Sequence, residues 1–232
     1  MKKLMMIVAM MATMLGANAQ YEPGTFSLNV KVGVNVASLT NAENMPIMSN
    51  VNLDKQPMGG GIVGVETEYQ LTKMLGLTAG VHLSEQGQGW ENYKGNVDGV
   101  KTEIKDNQID MWYVNVPIVA NIYLYKGLAI KTGVQFGFLT NADMQFRVES
   151  KEDFGDGVMR DVKQFNEIKM KDLLKKVDIS IPIGLSYEFK SHMVLDARYN
   201  LGLTKVNKES SPGEKDSKNS VFCVSLAYKI KL

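Results

Sequence analysis

Cysteine occurs once, at Cys223, and histidine only twice, at His82 and His192. A lone cysteine excludes an intrachain disulfide and a cysteine-based metal site, and two histidines exclude a histidine-rich one. The fold therefore has to be held by its hydrogen-bond ladder and its packing. Long apolar runs are also missing: beyond residue 19 no stretch reaches the roughly 20 residues that a membrane-spanning helix needs. Charge of one sign is absent too. The 26 Lys and Arg nearly match the 25 Asp and Glu, which leaves no electrostatic footprint for nucleic acid.

The N-terminus has its own character. Lys2 and Lys3 precede an apolar, Met-rich run over residues 4–15, and Ala17-Asn18-Ala19 offers a small-x-small cleavage site before Gln20. This pattern predicts a secretory signal peptide over residues 1–19 and a single domain over 20–232. No cysteine follows the cleavage site, so a lipoprotein anchor is not expected. Removing the signal takes away two of the 26 basic residues, leaving 24 against 25 acidic ones and a net charge near −1.

The mature chain is dominated by alternation. Phe26, Leu28, Val30, Val32, Val34 and Val36 are separated by Ser27, Asn29, Lys31, Gly33 and Asn35. Successive side chains of a strand face opposite sides, so one face of this strand is apolar and the other polar or small. The same period recurs over residues 60–71, 75–87, 109–124, 128–140, 177–189, 193–204 and 221–232, giving eight predicted strands. Three connections are tight, at 70–74, 125–127 and 190–192. Four are long and polar, at 40–57, 88–107, 141–176 and 205–219. Short turns on one side and long loops on the other predict an all-β, eight-stranded antiparallel up-and-down transmembrane β-barrel.

A soluble barrel or sandwich shares the alternation but turns its apolar face inward. Two features favour the membrane form. The polar faces carry charges at mid-strand, and the apolar faces end in Tyr69, Phe138, Tyr187, Phe189, Tyr199 and Tyr228, as an interfacial girdle does. Strands of ten or more residues also match a tilted membrane strand better than the usual soluble one. The expected location is the outer membrane, with both termini periplasmic and the long loops extracellular. Outer-membrane lipid and the barrel-insertion machinery are the partners this implies.

On the polar faces, Lys31, Glu66, Glu68, Lys131, Asp178, Glu188, Asp196, Arg198 and Lys229 are expected to point into the lumen. An eight-stranded barrel has room inside only for its own side chains, so these charges are expected to pair and plug it. The alternative is a narrow ion or solute path. Gly59, Gly61 and Gly64 satisfy G-x-G-x-x-G, but a strand follows them where a nucleotide site needs a helix. His82 and Ser84, with Asp178, are a weak hydrolase constellation, since residues two apart on a strand are poorly spaced for a Ser–His bond. Asp153, Asp156 and Asp161 around Gly155 and Gly157 lack calcium-loop spacing. No catalytic residue, cofactor or metal is assigned. Residues 168–174 mix apolar and Lys positions and predict one short helix at the rim. Trp90 and Tyr93 are candidate exposed anchors for a protein partner on the long loops, with the outer girdle as the other place for Trp90.

Several segments resemble the PorT-like outer-membrane β-barrel family of Bacteroidetes. They are GVHLSEQGQGW at 80–90, YVNVPIVANIYL at 113–124, KTGVQFGFLTNA at 131–142, KKVDISIPIGLSYEF at 175–189 and VLDARYNLGLTKVN at 194–207. The resemblance covers the strands of the mature chain and not its long loops. It implies an outer-membrane barrel and no single activity. A structural or interaction role is the reading carried forward. The alternatives are a narrow porin, an accessory barrel of a protein-secretion machine, suggested by the family's namesake, and a small lipid enzyme.

Overall fold

The computed structural model describes residues 22–42, 44–45, 48–97, 100–125, 127–153, 159–208 and 216–232. The predicted signal peptide lies outside them, as do Gly155, Asp156 and Gly157. In chain order the strands are β1 (Phe26–Leu39), β2 (Asn44–Met45), β3 (Met48–Asn52), β4 (Lys55–Gln56), β5 (Met58–Thr72), β6 (Leu75–Trp90) and β7 (Tyr93–Val97). They continue with β8 (Val100–Tyr125), β9 (Leu128–Asp153), β10 (Met159–Lys169), β11 (Val177–Glu188), β12 (Met193–Gly202) and β13 (Asn219–Lys231).

Eight of these strands close a ring. β1 pairs with β5, β5 with β6, β6 with β8, β8 with β9, β9 with β11, β11 with β12 and β12 with β13. β13 returns to β1, with Val34 opposite Val224 at the middle of the seam. Every pairing is antiparallel, and closure leaves the barrel itself with no free edge. The tight turns gather at one end. Thr72 Oγ1 accepts from the Met74 and Leu75 amides at 3.2 and 3.1 Å, and Gly127 and His192 supply the left-handed backbone (φ 90° and 64°) that the other two need.

Burial is inverted relative to a soluble protein. On β1, Val32 and Val34 are 62% and 65% exposed, while Lys31, next to Val32 on the same strand, is 3% exposed. The apolar face looks outward all round the ring, which removes the soluble alternative. Aromatic residues mark its two borders. Phe26 stacks on Tyr69 at 4.6 Å, and Tyr187 meets Phe189 edge-on at 4.9 Å, at the tight-turn end. Trp112, Phe138, Tyr199 and Phe222 lie exposed toward the other end.

Two of the predicted loops are largely strand. β8 and β9 run for 26 residues each, past the expected limits at Ile109 and Thr140. Beyond the ring they stay paired from Asp110↔Asp143 to Thr102↔Ser150. β7 adds to the free side of β8 and β10 to the free side of β9. The result is a four-stranded sheet, β7-β8-β9-β10, that continues the barrel wall past the membrane face. A bulge between Lys105 and Gln108, with Asp106 in left-handed backbone (φ 54°), bends it. The short helix expected over 168–174 is not formed. Ile168 and Lys169 end β10 opposite Met144 and Asp143, and the Met170 amide bonds Ala142 O at 2.8 Å, so sheet pairing claims the backbone a helix would use.

Candidate functional site

The lumen is filled in two layers. All nine predicted charges are buried inside it. Lys31, Glu66, Lys131, Asp196 and Arg198 form a central cluster. Glu66 Oε1 accepts from Lys31 at 3.1 Å and from Arg198 Nη2 at 3.2 Å, and Asp196 Oδ2 accepts from Lys131 at 2.6 Å and Arg198 at 3.1 Å. His82, which charge counting alone misses, places Nε2 3.1 Å from Glu66. A second cluster sits nearer the tight turns. Lys229 lies 2.8 Å from Glu68 and 3.2 Å from Glu188, and Tyr123 Oη donates to Glu68 at 2.5 Å.

The register explains how these groups fit. Lys31 stands opposite Gly64 and Ala227 on its two neighbouring strands, and Arg198 opposite Gly184 and Cys223. Asp196 stands opposite Ser186 and Ser225. Long charged side chains face small ones along the wall, so they extend across the lumen and meet partners from distant strands. Gly64 shows the constraint: a Cβ there would lie 2.3 Å from Val81 O and 2.5 Å from His82 Cδ2. A narrow pocket lined by residues of both clusters, among them Lys31, Glu66, Glu68 and Lys229, has about 10 Å³, the space of about one water.

Asp178 does not join the ionic network. It accepts from Thr204 Oγ1 at 2.7 Å and Asn219 Nδ2 at 3.2 Å, a neutral, hydrogen-bonded setting. The hydrolase constellation is not assembled either. Ser84 Oγ accepts from Gln86 and Asn115, each at 2.8 Å, while His82 turns to Glu66. Gly59, Gly61 and Gly64 all lie within β5, with no helix after them.

Above the charges lies an apolar cap. Tyr113, Met111, Ile109, Leu139, Ala142, Met144, Met170, Leu174 and Val206 pack together with Leu39 and Trp90. Trp90 was expected as an exposed anchor or a girdle residue, and the structure corrects this. It is 3% exposed, inside the mouth, with Nε1 donating to Ala42 O at 2.9 Å. Its place follows from strand parity: it is in phase with His82, Ser84, Gln86 and Gln88, which all point inward. Tyr93 is half-buried on β7, opposite Ile104.

The extension carries the second feature that sequence reading missed. Its cross-strand row runs Lys94↔Glu103↔Glu149, with Lys163 beyond. Glu103 lies 2.7 Å from Lys94 and 3.1 Å from Lys105, and Glu149 lies 2.7 Å from Lys105 and 3.7 Å from Lys163. Arg147 bonds Asp106 and covers the Phe165 ring at 4.8 Å. Hydrogen bonds from Lys94 and Lys105 hold the Glu103 carboxyl below its usual range, and Lys105 does the same to Glu149. Lys105 is raised in turn by Glu149 and Glu103. Among the described residues no cluster of metal-ligating side chains is present.

A closed, inverted eight-stranded ring with a filled lumen defines a small outer-membrane β-barrel. The sequence matches the model of the outer membrane protein beta-barrel domain family over residues 18–208, and the chain belongs to that family. No curated protein matches the sequence. The fold is similar to that of Ail, the attachment invasion locus protein of Yersinia pestis, solved in complex with the heparin analogue sucrose octasulfate. The two are 10% identical with a TM-score of 0.42, and 88% of this chain and 99% of that one are covered. Neisserial surface protein A is similar at 12% identity and TM-score 0.42, with 88% and 97% covered. The outer membrane protein AlkL, solved in DMPC bilayers, is similar at 15% identity and TM-score 0.41, with 92% and 93% covered.

Proposed function

We propose that this protein is a non-conducting, non-catalytic barrel that anchors an interaction surface, the β7–β10 sheet, outside the outer membrane. One observation carries the reading: buried, salt-bridged charges and an apolar cap fill the lumen, and the pocket among the charges has space for about one water. A conducting path needs a continuous wet passage, and the fill supports a plug instead. The orientation in this reading follows the usual pattern of such barrels, with tight turns and both termini on the periplasmic side and the long connections outside. The strand segments that resemble PorT-like barrels support placing the chain near that group.

Planar-bilayer recording on purified, refolded protein tests the plug. The expected result is no unitary conductance in the wild-type protein. Steady, voltage-independent openings would overturn the reading in favour of the narrow porin. Proteolysis of intact cells tests the orientation: cleavage confined to the connections between β1 and β5, β6 and β8, β9 and β11, or β12 and β13 is expected. Cleavage at the tight turns instead would reverse it.

A further inference from the structure

β10 is a free edge. It pairs with β9 on one side, and among the described residues no strand pairs with the other. A row of unpaired backbone donors and acceptors is a template for another strand. Its side chains stand in the open, with Phe165 74% exposed despite the guanidinium of Arg147 beneath it. Charges on such an edge usually deter pairing. Here their order does the opposite.

The segment from Asp161 to Lys169 reads Asp-Val-Lys-Gln-Phe-Asn-Glu-Ile-Lys. Laid antiparallel against a second copy of itself about Phe165, it sets Asp161 opposite Lys169, Val162 opposite Ile168, Lys163 opposite Glu167 and Gln164 opposite Asn166. Phe165 meets its own copy. Every directly opposed pair is then complementary: opposite charges, two β-branched residues, two amides and two aromatic rings, the pairings that stabilise antiparallel sheets. A two-fold pair keeps each residue on its own face, so the register shifts in steps of two residues of pairing. One step one way sets Asp161 opposite Glu167, and one step the other way sets Lys163 opposite Lys169. Both place like charges face to face. The sequence thus favours one self-pairing register and opposes its neighbours.

We infer that β10 is a homotypic interface, joining two copies of this chain by antiparallel strand addition about Phe165. This rests on the reading of the extension as an interaction surface and names its partner. The geometry adds a direction. β10 runs antiparallel to the outer half of β9, a strand that begins in the membrane. An antiparallel partner comes from a barrel whose strands point the other way. Two upright extensions therefore meet from facing membranes and not from neighbours in one membrane.

The test uses the full chain with Cys223→Ser, so that no buried thiol competes. Phe165→Cys places two thiols directly opposite, with Cβ atoms about 4.5–5.5 Å apart, within small adjustment of disulfide geometry. Mild oxidation in detergent is expected to link Phe165→Cys into a dimer. Asn166→Cys is expected to stay monomeric alone and to link only when mixed with Gln164→Cys. Equal linking by Asn166→Cys alone, or none by Phe165→Cys, overturns the inference. Vesicles carrying the wild-type protein are expected to cluster. Lys163→Glu should abolish clustering, and Lys163→Glu with Glu167→Lys should restore it. Vesicles that do not cluster overturn the facing-membrane arrangement. Conductance is recorded on the same vesicles: channels there overturn the plug reading, whereas silent vesicles without cross-linking or clustering overturn the homotypic interface alone.

Discussion

Arg198 and Glu66 lie 132 positions apart in the chain and meet inside the lumen, guanidinium Nη2 to carboxylate Oε1 at 3.2 Å, with both side chains buried. Arg198 also holds Asp196, so one cation bridges two carboxylates from different strands. Removing it takes one bond from each carboxylate and leaves Glu66 with Lys31 and Asp196 with Lys131. Arg198→Ala is expected to destabilise the barrel by about 3–5 kcal/mol, because it removes two buried hydrogen bonds to charged groups worth about 1.5–3 kcal/mol each. Urea titration in lipid vesicles, read by heat-modifiable gel migration, measures it. Unchanged stability together with new conductance would falsify the plug and make Arg198 a selectivity residue.

The two tryptophans, Trp90 and Trp112, report opposite environments. Trp90 lies in the mouth, and Trp112 is 37% exposed on the outward face. Brominated lipid is expected to quench the emission of Trp90→Phe, which keeps Trp112, and to spare that of Trp112→Phe. Equal quenching of both variants places Trp90 in the girdle and contradicts the cap. Trp90→Ala leaves a cavity under the connections and is expected to lose about 3–5 kcal/mol.

Gly64 stands where β5 closes against β6, and a side chain there meets Val81 O and His82. Gly64→Val should therefore overpack the wall, lowering stability by about 1–3 kcal/mol or more. Gly59 and Gly61 meet nothing within 4 Å, so Gly61→Val is the matched control and is expected to fold normally. Similar behaviour of the two variants argues against a steric role for Gly64.

The extension should be acid-sensitive while the ring persists. Glu103 and Glu149 are held below the ordinary value of 4.5 by bonds from Lys94 and Lys105. A depressed carboxylate contributes stability above its unfolded pKa, and that stability is lost as pH falls through the folded value. Lys105, raised above 10.5, contributes below that value and loses its contribution as pH rises past the folded one. Amide exchange of β7–β10 should thus be most protected between the two limits and accelerate below pH 4.5, after correction for intrinsic rates. These groups are solvent-screened, so high salt should flatten the profile. A flat profile at low salt counts against the ladder.

The eight ring strands were legible because one face of each had to be uniformly apolar. That demand imposes a period of two over a dozen residues, and it fixed which charges point inward. The pairings were hidden, because they depend on register and on how separated strands come level: Lys31 meets Glu66 diagonally on the neighbouring strand, and Arg198 reaches the same carboxylate from three strands away. His82 joined the cluster unnoticed since its formal charge is zero. The extension escaped for a different reason. Ala142, Met144, Phe146 and Val148 alternate with Asp143, Gln145, Arg147 and Glu149 as regularly as any membrane strand, but the outward side is charged and was read as loop. Trp90 was misplaced by composition, although counting parity from His82 puts it inside.

The alternation that inverts the barrel also governs the chain before it folds. Because polar or small residues interrupt the apolar ones every few positions, no stretch of the strands presents the continuous apolar surface that a membrane-spanning helix offers lipid. The unfolded chain can therefore pass through a first bilayer without lodging in it as a stop-transfer segment. Its affinity for lipid exists only when strands align and put their alternate side chains on one surface. For a barrel built on this alternation, membrane entry and folding are expected to be one event, and a step that carries the chain between two membranes is expected to shield its strands.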